Sequence, residues 1–390
     1  MKRLFLKIFF TFILFFSFFV SFGQTTKFLS KRIDYGVSSM QNFWWDENKG
    51  SWKGGSIDPK RGEDSGMIDW WNAANSIEVL ANSITLLPET FVLKEVMNKM
   101  FLSQNISGIL GSKSYDDNGW VALSWLRAYE ETGELNYYKR ASQVYQEILT
   151  AWDDVCGGGL YWAGDEEGGG FRYKNAVTNE LFIMLSMRMS ENAQNINDTE
   201  YYFNWALKAW NWFQNSNMII KNGSTYWIID GLTDKCEPTG MYWTYNQGII
   251  LGGLGKLFEK TKNPEFAELA EKIIFSIIDE NIPQNPWLYE GGILRENCEP
   301  VCSNSAMQFK GIFVRYIDYF YQSCAKNGRK IDEKAKQFIS TNAEAMWTNS
   351  RDEMNRFGLI WKGPVNETNA IQQTAGIDLL IADHRIKQRE

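Results

Sequence analysis

The 390-residue chain carries 44% hydrophobic and 22% charged residues, an ordinary balance for a globular protein with a large core, and its formal net charge of −7 argues against a nucleic-acid or anionic-membrane partner. A single histidine, His384, leaves no credible multi-histidine zinc site and no Ser-His-Asp or Cys-His machinery. Acid–base chemistry would rest on carboxylates, Lys, Tyr or Cys, and no metal or cofactor is expected.

The chain opens Met1-Lys2-Arg3 and continues as an apolar run to Ser21-Phe22-Gly23. A basic start, an apolar stretch and small residues at Ser21 and Gly23 form the pattern of a secretory signal peptide, residues 1–23, cleaved before Gln24. The run is also long enough to span a bilayer as an uncleaved anchor. In either case the body is expected to be exported, periplasmic or secreted, with no stable membrane partner. Residues 24–390 contain no linker and no low-complexity segment, so they are expected to form one domain and to act as a monomer.

Hydrophobic periodicity predicts about twelve helical segments. They start near Lys27, Asp69, Thr90, Asp116, Asn136, Asn175, Thr199, Asn246, Pro264, Ser305, Asp332 and Glu367. The third, fifth, seventh, ninth and eleventh are amphipathic. In EFAELAEKIIFSIIDE, Phe266, Leu269, Ile273 and Ile277 make one stripe with Glu and Lys between them, so one face is wet. The even members, such as NQGIILGGLGKLF and NAIQQTAGIDLLIA, are apolar or small nearly all round and must be buried on every side. Gly252, Gly253 and Gly255 would let neighbouring helices approach closely. This alternation predicts an all-α fold, an (α/α)6 barrel of six inner and six outer helices. A superhelical array of helix pairs is the rival, but it would carry a sequence period and none is visible.

The five cysteines are Cys156, Cys236, Cys298, Cys302 and Cys324. Export permits disulfides, and an odd count leaves at least one thiol free. Cys298 and Cys302 are one candidate pair.

Each predicted inner helix begins with Asn, Asp or Gln beside apolar or aromatic residues: MIDWWNAAN, SYDDNGW, YKNAVTNE, WTYNQG, SNSAMQFKG and ETNAIQQTAG. One such residue is an N-cap. Six gathered at one end of a barrel exceed what capping requires, and helix starts add free N–H groups and partial positive charge. The long segments from Cys156 to Lys174 and from Asn222 to Trp243 are rich in Gly, Trp and Tyr; they read as functional loops holding short hairpins rather than disorder. Aromatic rings with amides and carboxylates suit carbohydrate, whose C–H faces stack and whose hydroxyls need donors and acceptors. Stacking candidates are Trp44, Trp45, Trp70, Trp71, Trp162, Trp227, Trp243 and Trp361. Trp120 is a further cleft candidate, and for any single Trp core packing is the plainer reading.

Glycoside hydrolysis canonically uses two carboxyl groups. Asp116 and Asp117 stand about 100° apart around a helix, so their carboxyls can diverge and flank one bond. The helix start stabilises one carboxylate while the neighbouring charge raises the second pKa, and the pair titrates as a unit. A helix cap is an equal reading of these residues alone. The other pair, Asp153-Asp154, ends an outer helix and reads as a helix stop.

SYDDNGW followed by LSWLRAYEETG, then in order GGGLYW, YKNAVTNELF, WTYNQGIILGGLGKLFEKT, FKGIFVRYIDYF, FGLIWKGP and QQTAGIDLL, resemble glycoside hydrolase family 76, the endo-α-1,6-mannanases, over roughly residues 33–382. The resemblance implies an (α/α)6 barrel and retaining hydrolysis of α-mannan polysaccharide or oligosaccharide, with Asp116 as nucleophile and Asp117 as general acid/base. It also makes Asn175, Thr178, Asn179, Tyr245, Asn246 and Gln247 cleft residues. Ser305 stands where relatives often carry an acidic residue, which bears on subsite preference, and Lys310 reads as a core ion pair. A transglycosidase using the same site and a non-catalytic glycan-binding protein are the alternatives; sugar epimerases with histidine bases are disfavoured by the single histidine.

Overall fold

The computed structural model describes residues 27–54, 66–88, 90–164 and 173–389. The expected signal peptide and residues 165–172 of the Gly-rich loop lie outside them. Helix α1 covers residues 27–44. It is followed by α2 (Trp70–Ser83), α3 (Thr90–Ser103), α4 (Ile106–Ser112), α5 (Tyr115–Thr132), α6 (Leu135–Leu149), α7 (Ala176–Asn192), α8 (Ile196–Asn215), α9 (Thr244–Thr261), α10 (Pro264–Ile278), α11 (Phe309–Lys326), α12 (Glu333–Asn349) and α13 (Ala370–Gln388). All twelve predicted helices are present within a few residues. The seven-residue α4 was not foreseen; its ISGILGS sequence is too short to show a period.

The inner helices pack in the order α2, α5, α7, α9, α11, α13, and α13 returns to α2, closing the ring. Helices α3, α6, α8, α10 and α12 lie outside it, and α1 joins them against α13, where Gln373 Nε2 donates to the Gly36 carbonyl at 2.9 Å. This is the predicted (α/α)6 barrel. Close approach of α9 to α11 needs glycine: a Cβ on Gly248 would sit 2.6 Å from Phe313 Cα, and one on Gly252 2.5 Å from the Tyr316 ring. Short antiparallel strands decorate the end where the inner helices start. The hairpin of β4 (Ile219–Asn222) and β5 (Thr225–Ile228) and the sheet of β3 (Lys174–Asn175), β6 (Gly231–Leu232) and β7 (Pro238–Thr239) lie in the predicted aromatic loops.

Polar side chains run through the middle of the barrel. Arg315 on α11 forks onto Asp378 on α13, at 2.8 and 2.5 Å. It also reaches Asn75 at 2.7 Å and Glu78 at 3.0 Å on α2. Glu78 accepts from Tyr319 at 2.9 Å and lies 3.4 Å from Arg188 on α7, which in turn forks onto Glu130 of α5. Five inner helices are thereby cross-linked. The glycine-rich α9 contributes nothing to these bonds.

Two disulfides, Cys156–Cys236 and Cys298–Cys302, leave Cys324 buried and reduced. Asp153 accepts from buried Lys174 at 2.5 Å and from the Val155 amide at 3.0 Å, so it holds the chain after α6. Lys310 is buried and paired with Glu299. Among the described residues, no helix is long and apolar enough to cross a membrane.

Glu296 is fully buried and accepts from Thr244 at the start of α9 and from the Asn297 amide at 3.0 Å. Burial outweighs these donors and lifts its pKa to about 7. The folded state therefore keeps a proton that the unfolded chain releases near its ordinary value, so this contribution is full below about 4.5 and is lost as pH rises through about 7. Urea titrations should show wild-type stability falling by about 3 kcal/mol across that window on this account. Glu296→Gln should flatten the slope; an unchanged slope would refute the assignment.

Candidate active site

Helix α5 opens at Ser114, whose side chain makes no capping bond. Asp116 and Asp117 occupy its first turn and are held by indoles from opposite sides. Trp162 Nε1 donates to Asp116 Oδ2 at 3.0 Å, and Trp70 Nε1 donates to Asp117 Oδ2 at 2.8 Å. Asp116 Oδ1 accepts the Asp117 amide at 2.9 Å. Trp162 is placed in turn because its carbonyl accepts the Tyr115 amide at 2.9 Å. The carboxyl groups thus diverge, as residues about 100° apart on a helix should.

Both carboxyls open into a cleft of about 450 Å³ at the inner-helix starts, lined also by Trp71, Trp120, Tyr173, Asn175, Asp230, Tyr245 and Phe309. Tyr245 stacks on Phe309 with centroids 4.0 Å apart. Burial, and next the Asp117 charge, push the Asp116 pKa well above the ordinary range; the amide and indole N–H donors oppose this. The second of these causes disappears once Asp117 carries a proton. The pair therefore holds one proton readily. An indole is a donor only, so Trp70 keeps Asp117 Oδ2 an acceptor and leaves the proton to the other oxygen. Burial also raises Asp230, against hydrogen bonds from Tyr173 and Asn246.

Of the residues expected at the cleft, Asp116, Asp117, Trp71, Trp120, Trp162, Asn175 and Tyr245 line it, and Trp70 reaches it through its indole N–H. The others do not line it. Asn179 is fully buried and pins the loop strand at Leu160, accepting from its amide at 2.8 Å and donating to its carbonyl at 2.9 Å. Gln247 does the same to Ile228, with both bonds at 2.7 Å. Thr178 is buried beneath the cleft, and its amide is capped by Asn175. Asn246 is buried, 3.5 Å from Asp230. Trp243 packs edge-on against Phe309 at 5.6 Å. Of the further stacking candidates, Trp44 and Trp361 are core residues, while Trp45 packs on Trp52 and Trp227 on Tyr242.

Sequence reading missed Tyr173 and Asp230. Tyr173 donates to Asp230 Oδ2 at 2.7 Å, and the Asp230 carbonyl accepts from Ala176 at the start of α7, also at 2.7 Å. The pairing of Asn175 with Gly231 brings them together. The signal available was a lone acid in WIID followed by Gly231, which reads equally as a turn.

The glycosyl hydrolase family 76 model matches residues 30–388. Mannan endo-1,6-α-mannosidase DCW1 of Saccharomyces cerevisiae is 25% identical over 298 residues, covering 72% of this chain and 58% of that protein; the chain spans about half the length of the curated relatives it matches. The Lin0763 protein of Listeria innocua superimposes with a TM-score of 0.77 at 23% identity, covering 93% of this chain and 98% of that one. A GH76A α-1,6-mannanase variant of Salegentibacter sp. HEL1_6, inactive with two consecutive aspartates replaced and bound to α-1,6-mannotetrose, does so with a TM-score of 0.73 at 21% identity over 92% and 99% of the two chains.

Proposed function

We propose, on the premise that this chain belongs to glycosyl hydrolase family 76 and is a glycoside hydrolase, that it cleaves α-1,6-mannan internally by retaining double displacement. The observation that carries this reading is the consecutive pair Asp116-Asp117, each carboxyl held by its own indole at the floor of an aromatic cleft. The consecutive aspartates of the Salegentibacter α-1,6-mannanase and the name of the yeast relative support the substrate.

Asp116 attacks the anomeric carbon and forms a glycosyl-enzyme ester while Asp117 delivers its proton to the leaving oxygen. Asp117 then takes a proton from water, which opens the ester with net retention. The amide and Trp162 donors on Asp116 stabilise its carboxylate against burial and help it leave in the second step. The apolar walls at Trp71, Trp120 and Phe309 offer faces to sugar rings.

Incubation with unbranched α-1,6-mannan should give oligosaccharides of mixed length whose first-formed reducing end is α by NMR. A β first product, or no shortening of the chain, overturns the reading. Appearance of longer chains with an added acceptor would mark transglycosylation instead. Trp162→Phe removes one donor to a charged carboxyl, a loss of about 1.5–3 kcal/mol. The expected result is kcat about 10- to 100-fold lower, with KM changed less; the reverse split would make Trp162 a binding wall alone. We also infer that residues 24–390 act as one exported domain. The basic–apolar N-terminus and two disulfides support this. N-terminal sequencing of the mature protein should begin at Gln24.

A further inference from the structure

Beside the catalytic cleft lies a second pocket of about 260 Å³, walled by the disulfide-closed loop at Pro300–Cys302 and by the segment from Leu359 to Glu367. The turn of residues 305–309 separates the two: Ser305 and Phe309 face the cleft, and Met307 faces the second pocket. One buried cation fixes both walls. Lys310 pairs with Glu299 in the first loop and donates to the Leu359 carbonyl of the second at 2.8 Å, over the Trp361 ring. The pocket is therefore preformed.

Its lining is mixed in a particular way. Pro300, Met307, Leu359 and Pro364 are apolar, while Asn366, Glu367 and Gln372 are polar. Gln372 is 2% exposed, and its amide oxygen has no hydrogen-bond partner among the described residues. A buried acceptor left empty costs free energy and calls for a donor. The amide groups beside Pro300, Met307 and Leu359 fit a ligand that carries hydroxyls and has an apolar face. That is the chemistry of a sugar ring.

We propose that this pocket binds one further mannosyl unit of the polysaccharide whose backbone crosses the catalytic cleft, with Gln372 Oε1 accepting a hydroxyl. The proposal rests on the mannan reading above. The unit comes either from a side branch or from the backbone beyond the cleft, and substrate choice separates the two.

The test compares wild type with Asn366→Trp, which fills the pocket from an exposed loop position, and with Gln372→Leu, which removes the acceptor. Substrates are α-1,6-mannotriose, long linear α-1,6-mannan and a branched mannan. On the trisaccharide both variants should stay within twofold of wild type. A KM about tenfold higher on branched mannan alone identifies a branch site; a similar rise on both polymers identifies a backbone site. Equal change on all three substrates, or no change on any, overturns the proposal. If wild type cleaves none of them, the mannan reading fails by itself. Calorimetry with α-1,2-mannobiose then decides the pocket: binding weakened at least tenfold by Asn366→Trp sustains a sugar site, and wild-type binding that the substitution leaves intact, or none, removes it.

Discussion

Asp116→Asn and Asp117→Asn are each expected to lower kcat on α-1,6-mannan by about four orders of magnitude, with the circular dichroism spectrum unchanged. Asparagine keeps the shape and the hydrogen bonds offered by the indoles but can neither attack nor carry the transferred proton. Loss of a nucleophile or of general acid catalysis costs on the order of 10² to 10⁴ or more. The two variants should then diverge on an aryl mannoside with a good leaving group. That substrate needs no protonation, so Asp117→Asn should recover much of its glycosylation rate while Asp116→Asn stays inactive. Azide should accelerate Asp117→Asn by opening the ester without a general base. The pH profile adds a sign. The Asp117 charge that helps raise the Asp116 pKa is already absent when Asp117 carries its proton, so Asp117→Asn should leave the acid limb near that of wild type and abolish the basic limb, which reports loss of the Asp117 proton. A basic limb that survives in Asp117→Asn, or near-wild-type activity in either variant, would sink the assignment of roles.

Arg315→Leu should destabilise the fold by about 3–5 kcal/mol, the usual cost of stripping one partner from a buried ionic group. Asp378 would keep a buried carboxylate and lose the guanidinium that forks onto it, and Glu78 would be left with Arg188 at 3.4 Å. In the wild type, burial already raises Asp378 to about 6 despite Arg315, so its contribution to stability falls as pH rises from about 4 to 6. Without the arginine that pKa moves higher still and the loss extends to more alkaline pH. The destabilisation measured by urea should therefore be larger at pH 8 than at pH 5. Adding Glu78→Gln and Asp378→Asn to Arg315→Leu should restore a good part of the loss, because amides cost less to bury than charges. Equal loss at both pH values would mean that packing of the side chain, not charge, is what Arg315 supplies.

Much of the cleft floor was legible because it sits inside helices. Asp116 and Asp117 occupy the first turn of a segment whose period announces a buried helix, whereas Tyr245 came from the family resemblance and not from spacing. Asn179 and Gln247 carry the same chemistry in the same turn, yet they are spent on the backbone of Leu160 and Ile228. No pattern in one helix tells an amide that meets substrate from one that pins a loop, because the loop arrives from elsewhere in the chain. Asp230 shows the converse: it enters the cleft only because β6 pairs with β3.

Periodicity and composition by themselves determined the twelve long helices, their division into wet and buried sets, the barrel that follows, and the carboxylate pair at one inner-helix start. These are local properties, set by a 3.6-residue repeat and by which residues can bear burial. Only the tertiary structure decided which indole holds which carboxyl, which amides face the cleft, and that five inner helices share one ionic network. Those facts depend on contacts between residues tens to hundreds of positions apart, such as Arg315 with Asn75 and Glu78. Chain closure creates such contacts, and no short window of sequence contains them.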